Sequence, residues 1–149
     1  MAVEYRAVKE GVVITPDPPD GIFDAPSGTW ILTRAWICTM SDGRAMMVHP
    51  GICSDGASIP APLQPLVGPR YHPSTFASAF FHDCAYMSEI IPRRKADDEF
   101  RRLLIMHGVS ALKARLYWLA VRGFGWLVWQ KHTPDSVKSA QMFVEILPA

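Results

Sequence analysis

Residues 74–100, STFASAFFHDCAYMSEIIPRRKADDEF, decide how the rest of the chain is read. Two helical periods meet at Pro92, which a helix cannot pass without losing a backbone hydrogen bond. The spacing predicts one helix from about Ser74 to Ile91 and a second from about Arg94 to His107, with Gly108 in the position that ends helices. On a wheel of about 100° per residue, Phe76, Ala79, Phe80, Met87 and Ile90 make an apolar stripe with Asp83 in its middle. His82 and Tyr86 stand side by side at its edge, at the i, i+4 spacing that lets side chains touch. On the second helix Ala96, Phe100, Leu103 and Leu104 form the apolar face, with Asp97 at its margin and Asp98 pointing away. An antiparallel hairpin would bring Asp97 toward His82. A histidine oriented by a buried carboxylate is a general base, and a neighbouring aspartate that cannot reach that histidine is free for a metal. The same cluster is equally a satisfied polar network that locks two helices together.

Working outward, a third helix starts with Ser110 as N-cap and continues to about Lys131, where Thr133-Pro134 breaks it. Arg115, Trp118, Arg122, Trp126 and Trp129 share one stripe of it, and Leu116, Ala120, Val121, Leu127 and Val128 cover much of the remainder. Four uses fit such a stripe: core packing with arginine over tryptophan, a docking surface, a counter-charge for Asp83 or Asp97, or a membrane-touching face for a lipase. Val137 to Leu147 is a short terminal element of open type. Upstream, residues 1–57 read as strands. Gly11 to Thr15 is a short apolar run closed by Pro16, Asp17 to Gly28 is a loop rich in proline, and Thr29 to Met40 is one strand. Asp42-Gly43 is a hairpin turn, and Ala45 to His49 returns. Ser58 before Ile59-Pro60 is a helix N-cap, and Asp55-Gly56 is either a turn or an extra carboxylate near His82. The expected fold is α+β: an antiparallel hairpin or small sheet, then three helices over residues 73–132, within a single domain over 1–149.

The whole-chain numbers agree with one globular domain. The 149 residues are 49% hydrophobic and 19% charged, which suffices for a core. Fifteen Lys+Arg against fourteen Asp+Glu give a net charge of +1, against a nucleic-acid partner bound through bulk charge. Cys38, Cys53 and Cys84 include no C-x-x-C pair and read as free thiols in a reducing compartment. No signal peptide opens the sequence, and the apolar stretch Leu116 to Trp129 is too short to span a membrane and holds Arg122.

Two resemblances follow from these motifs. His82-Asp83-Cys84-Ala85-Tyr86 followed by Asp97-Asp98-Glu99-Phe100 resembles the catalytic helix pair of the phospholipase A2 superfamily over roughly 30 residues. That resemblance implies His82 activating water, Asp97 orienting it, Tyr86 supporting the site and Asp83 binding calcium, the one cofactor implied. The calcium loop of that superfamily is reduced here to Gly68 within Leu66 to Pro69. The second resemblance runs over about 80 residues. Ser54-Asp55-Gly56-Ala57-Ser58-Ile59-Pro60, His82-Asp83 with Tyr86, Arg94 to Phe100 and Tyr117 to Trp129 are similar to a family of small phage-encoded domains of unknown function.

It implies a virion or host-cytoplasm location and phage structural proteins, or a second copy, as partners. The stripe Arg115, Trp118, Arg122 and Trp126 would be the contact. The expected function is a phage virion or assembly component, tail-associated, with a structural His-Asp-Tyr-Asp cluster. The alternatives are a calcium-dependent phospholipase A2-like hydrolase acting on host membrane lipid, and an anti-defence or lysis accessory. Whether the chain is an enzyme stays open at this point.

Overall fold

The computed structural model describes residues 14–54 and 73–149. In chain order these form β1 (Ile14–Thr15), β2 (Gly21–Asp24), β3 (Thr29–Leu32), β4 (Trp36–Thr39), β5 (Ala45–Val48) and β6 (Cys53–Ser54). Then come the helices α1 (Pro73–Ser88), α2 (Arg93–Met106), α3 (Ala111–Gln130) and α4 (Pro134–Gln141), and a closing strand β7 (Val144–Leu147). The fold is α+β, with two antiparallel sheets ordered β1-β4-β5-β7 and β2-β3-β6. The expected N-cap at Ser58, the carboxylate Asp55 and the loop 65–69 lie outside the described residues.

Three expectations are corrected. The run Thr29 to Met40 is two strands in different sheets. The chain bends at residues 33–35, so that Leu32 and Trp36 both enter the core. Within the supposed loop, Gly21–Asp24 is a strand paired with β3. Gly21 is there for close approach: a Cβ at that position would collide with the Trp30 indole. The tail, expected as one short element of open type, is a helix followed by a strand. Thr133 caps α4 in a reciprocal box with Ser136, and β7 then pairs with β5, placing Val144 opposite Val48. The three helices expected over residues 73–132 are there, and α4 follows them as a fourth among the described residues.

The β4–β5 hairpin turns where Asp42-Gly43 places it, with Gly43 at φ 85° and Met40 N–H donating to Arg44 O at 2.7 Å. Every residue of β4 and β5 is buried, so the hairpin is covered on both faces. On one face Trp36, Cys38, Met46 and Val48 pack against Phe80, Phe81 and Cys84 of α1. Phe80 meets the rings of Trp30 and Trp36 edge-on at 5.3 and 5.1 Å. Burial pushes the Cys38 and Cys84 thiols up, Cys84 also through the charge of Asp83.

Helix α2 is tied to the hairpin tip by a buried carboxylate that sequence reading missed. Glu99 accepts from Ser41 N–H at 3.0 Å and from its hydroxyl, pairs with Lys95 at 3.1 Å, and receives Arg102 Nε at 2.7 Å. Arg102 also donates to Thr39 O at 2.8 Å. Burial alone would raise the Glu99 carboxyl, but the Ser41 and Arg102 hydrogen bonds hold it below its ordinary value. Not every buried polar group is satisfied: Ser78 Oγ on α1 has no hydrogen-bond partner among the described residues. Ser78→Ala should stabilise the fold by about 1 kcal/mol, since it removes an unmet hydroxyl and improves helix propensity. A urea midpoint equal to or below that of the parent chain would contradict this.

Candidate functional site

Helices α1 and α2 are joined by a short reversal in which Glu89 takes a left-handed conformation (φ 48°) and Pro92 opens α2. His132, at the end of α3, donates to the Glu89 carboxylate at 3.0 Å. The two helices fold back on each other, and α3 returns along α2. Residues from all three helices converge on Asp97.

Asp97 is fully buried. Its Oδ1 accepts from His82 Nε2 at 2.7 Å and from the Tyr86 hydroxyl at 2.6 Å. Its Oδ2 accepts from Arg122 NH1 at 2.7 Å and lies 3.7 Å from Arg93 NH1. Arg93 extends the network, donating to Tyr86 Oη at 3.4 Å and to the carbonyls of Val121 and Arg122 at 3.2 and 3.3 Å. Burial works against the Asp97 charge, but the hydrogen bonds from His82, Tyr86 and Arg122 outweigh it and keep the carboxyl below its ordinary value. The Tyr86 hydroxyl is pushed up, first by burial and then by its bond to Asp97.

The imidazole of His82 sits between the rings of Tyr86 and Phe100, at centroid distances of 4.1 and 4.8 Å. With a carboxylate as acceptor, Nε2 carries the proton and Nδ1 of the neutral ring is the acceptor. Tyr86 in turn packs edge-on against Trp129 at 5.2 Å. Gly125 of α3 lies directly over this ring: a Cβ there would collide with Tyr86 Oη and stand 3.1 Å from Arg93 NH1.

The structure thus brings together His82, Tyr86 and Asp97, and adds Arg122. Of the uses open to Arg122, the geometry shows the counter-charge to Asp97. Two placements differ from the sequence reading. Asp97 is at the centre of the helix contact, because α3 covers what α2 alone leaves as a margin. Asp83 is half-buried instead of central: α1 is buried around most of its circumference, and Asp83 and Met87 share its half-exposed strip. Arg93 was missed, although its i, i+4 spacing from Asp97 was an available signal. Of the two glycines of the third helix, Gly123 and Gly125, which the sequence offers as a kink or as points of close packing, Gly125 is the point of close packing.

The remaining stripe residues divide. Trp118 Nε1 donates to Asp98 at 2.9 Å, and the Arg101 guanidinium lies 6.0 Å over the Trp118 ring. Arg115 and Trp126 are exposed. No group of three or more His, Cys, Asp or Glu side chains is gathered to hold a metal among the described residues. The segment that would add carbonyl ligands to Asp83 lies outside them. No described helix is long and apolar enough to cross a membrane.

An α+β domain with one buried carboxylate bonded from three helices is the class defined so far. The chain belongs to the family described as a protein of unknown function (DUF1353), whose model matches residues 30–121. That span runs from β3 into α3 and contains His82, Tyr86, Arg93 and Asp97. No curated protein and no solved structure matches the chain.

Proposed function

We propose that this chain is a phage virion or assembly component, tail-associated, and that its His82–Tyr86–Asp97 cluster holds α1, α2 and α3 together. The observation that carries the structural role is the engagement of Asp97 by Arg122 at 2.7 Å, with Arg93 at 3.7 Å. A carboxylate that serves a general base lends its negative charge to the imidazolium formed in the reaction. Here two guanidinium groups already engage that charge, which ties the carboxylate to α2 and α3 as well as to His82. The phage setting is supported by the sequence resemblance alone.

One observation favours hydrolysis as a second reading. His82 presents Nε2 to Asp97 at 2.7 Å, which leaves Nδ1 as the nitrogen that would take a proton from water. In that reading Asp83 and carbonyls of the segment 65–69 would hold calcium, which would polarise the ester carbonyl of a lipid.

Fatty-acid release from mixed phospholipid vesicles, with calcium titrated to millimolar concentration, separates the two. The expected result is no calcium-dependent release, with His82→Gln lowering stability by about 1 kcal/mol through the lost bond to Asp97. Copurification of the chain with assembled particles is expected alongside. Release of fatty acid that His82→Gln abolishes would overturn the structural reading.

A further inference from the structure

Helix α3 is two-sided in an unusual sense, because both sides are apolar. Ala114, Tyr117 and Ala120 face the protein and are buried. On the opposite side Leu112, Leu116, Leu119, Trp126 and Leu127 are exposed, Leu112 by 72% and Leu119 by 48%. At 100° per residue these five fall within an arc of about 100°. Gly123 lies in the same arc, and a Cβ there would meet nothing within 4 Å. The strip is therefore continuous and open along the helix.

Its charges are of one sign. Lys113 and Arg115, both exposed, flank the strip on opposite margins, and Ala111–Gln130 contains no acidic residue. The third cation of the helix, Arg122, is spent on Asp97. A second copy packed in parallel on this face would set lysine and arginine against lysine and arginine, and in neither orientation does α3 offer a carboxylate to pair them. An anionic bilayer is complementary in both respects. The leucines and Trp126 would enter the boundary between headgroups and acyl chains, and Lys113 and Arg115 would reach lipid phosphates at the edges.

We propose that α3 lies in the plane of an anionic phospholipid surface, held by the Leu112–Leu127 strip and its two flanking cations. This placement stands whether the Asp97 cluster is structural or catalytic.

The test is flotation of the full chain, with calcium chelated, on vesicles of phosphatidylcholine alone and of about three parts phosphatidylcholine to one part phosphatidylglycerol. The parent chain should float with the anionic vesicles and stay behind with the neutral ones. Lys113→Gln with Arg115→Gln should weaken binding about five-fold for each cation removed, the weight of one basic residue at such a surface. Leu116→Glu with Leu119→Glu should abolish binding with an unchanged circular dichroism spectrum. The charge variant keeps the test decisive should the leucine variant misfold. No flotation on anionic vesicles at low salt would overturn the proposal. So would equal binding to both vesicle types, or a dimer in solution that the leucine substitutions dissolve. Since lipid cleavage is not read, these outcomes are separate from those that decide the role of His82.

Discussion

Asp97→Ala is expected to cost about 3–5 kcal/mol, the range for removing one partner from a buried ion pair. The loss reaches every helix that meets at this carboxylate. His82 and Tyr86 on α1 and Arg122 on α3 would each keep a donor without an acceptor, and Arg93 on α2, still bonded to the carbonyls of Val121 and Arg122, would lose its counter-charge. Asp98→Ala, at an exposed site bonded to Trp118, should stay within about 0.5 kcal/mol. Asp83→Ala should fall between them, since Asp83 is half-buried.

The effect is also tied to pH. The Asp97 carboxyl is held below its ordinary value of 3.8 in the fold. The stability it contributes is therefore fully present above that value and is lost as pH falls through the lower folded value. Urea unfolding of the parent and of Asp97→Ala should show the gap between them widest near neutrality and narrowing below about pH 4. A constant gap down to pH 2, or a neutral-pH difference below about 1 kcal/mol, would show that Asp97 is not the charge on which the helices are assembled.

Gly125→Ala is expected to destabilise by about 1–3 kcal/mol, although alanine is ordinarily the better helix residue. The added methyl has no room where Tyr86 Oη and Arg93 NH1 lie against the α3 backbone. Tyr86 would have to withdraw, and its 2.6 Å bond to Asp97 would lengthen or break. The attribution is checked in the background of Tyr86→Phe. With the hydroxyl gone, Gly125→Ala should cost clearly less, giving a coupling of about 1 kcal/mol between the two positions. Gly123→Ala on the same helix, where nothing would meet the new methyl, is the internal comparison and should be neutral or mildly stabilising. Additive effects of the Gly125 and Tyr86 changes would mean that the glycine serves some other purpose.

Local signals carried a long way in this chain. Pro92, Gly108, Ser110 and Thr133-Pro134 fall at helix boundaries because each acts through its own backbone or the next turn, so neighbours in sequence suffice. The meeting of His82 with Asp97 was legible for a similar reason: a hairpin of two helices needs only their faces and the break between them. The errors lie where a third element intervenes. Asp97 looked marginal until α3 covered it, and Arg122 could be assigned to core, surface or counter-charge until the packing of three helices settled it. Asp83 looked central because a wheel assumes one buried face, whereas α1 is enclosed by the sheet, α2 and α4 together. The split of Thr29 to Met40 between two sheets depends on partners as distant as Cys53 for Ile31 and Ile14 for Cys38, which no local pattern records.

The pairing of β7 with β5 sets a condition on how the chain is made. Val48 and its neighbours leave the ribosome early, whereas the strand that covers their free edge leaves only after α1 to α4. At ordinary rates of synthesis the bare edge of Ala45–Val48, an uncharged and apolar segment, waits for about 5–20 s. A nascent chain in that interval offers a ready template for another strand, and the native partner must then close a long loop to displace it. Translation speed and the supply of holding chaperones therefore bear on the yield of this protein as directly as the stability of its finished form.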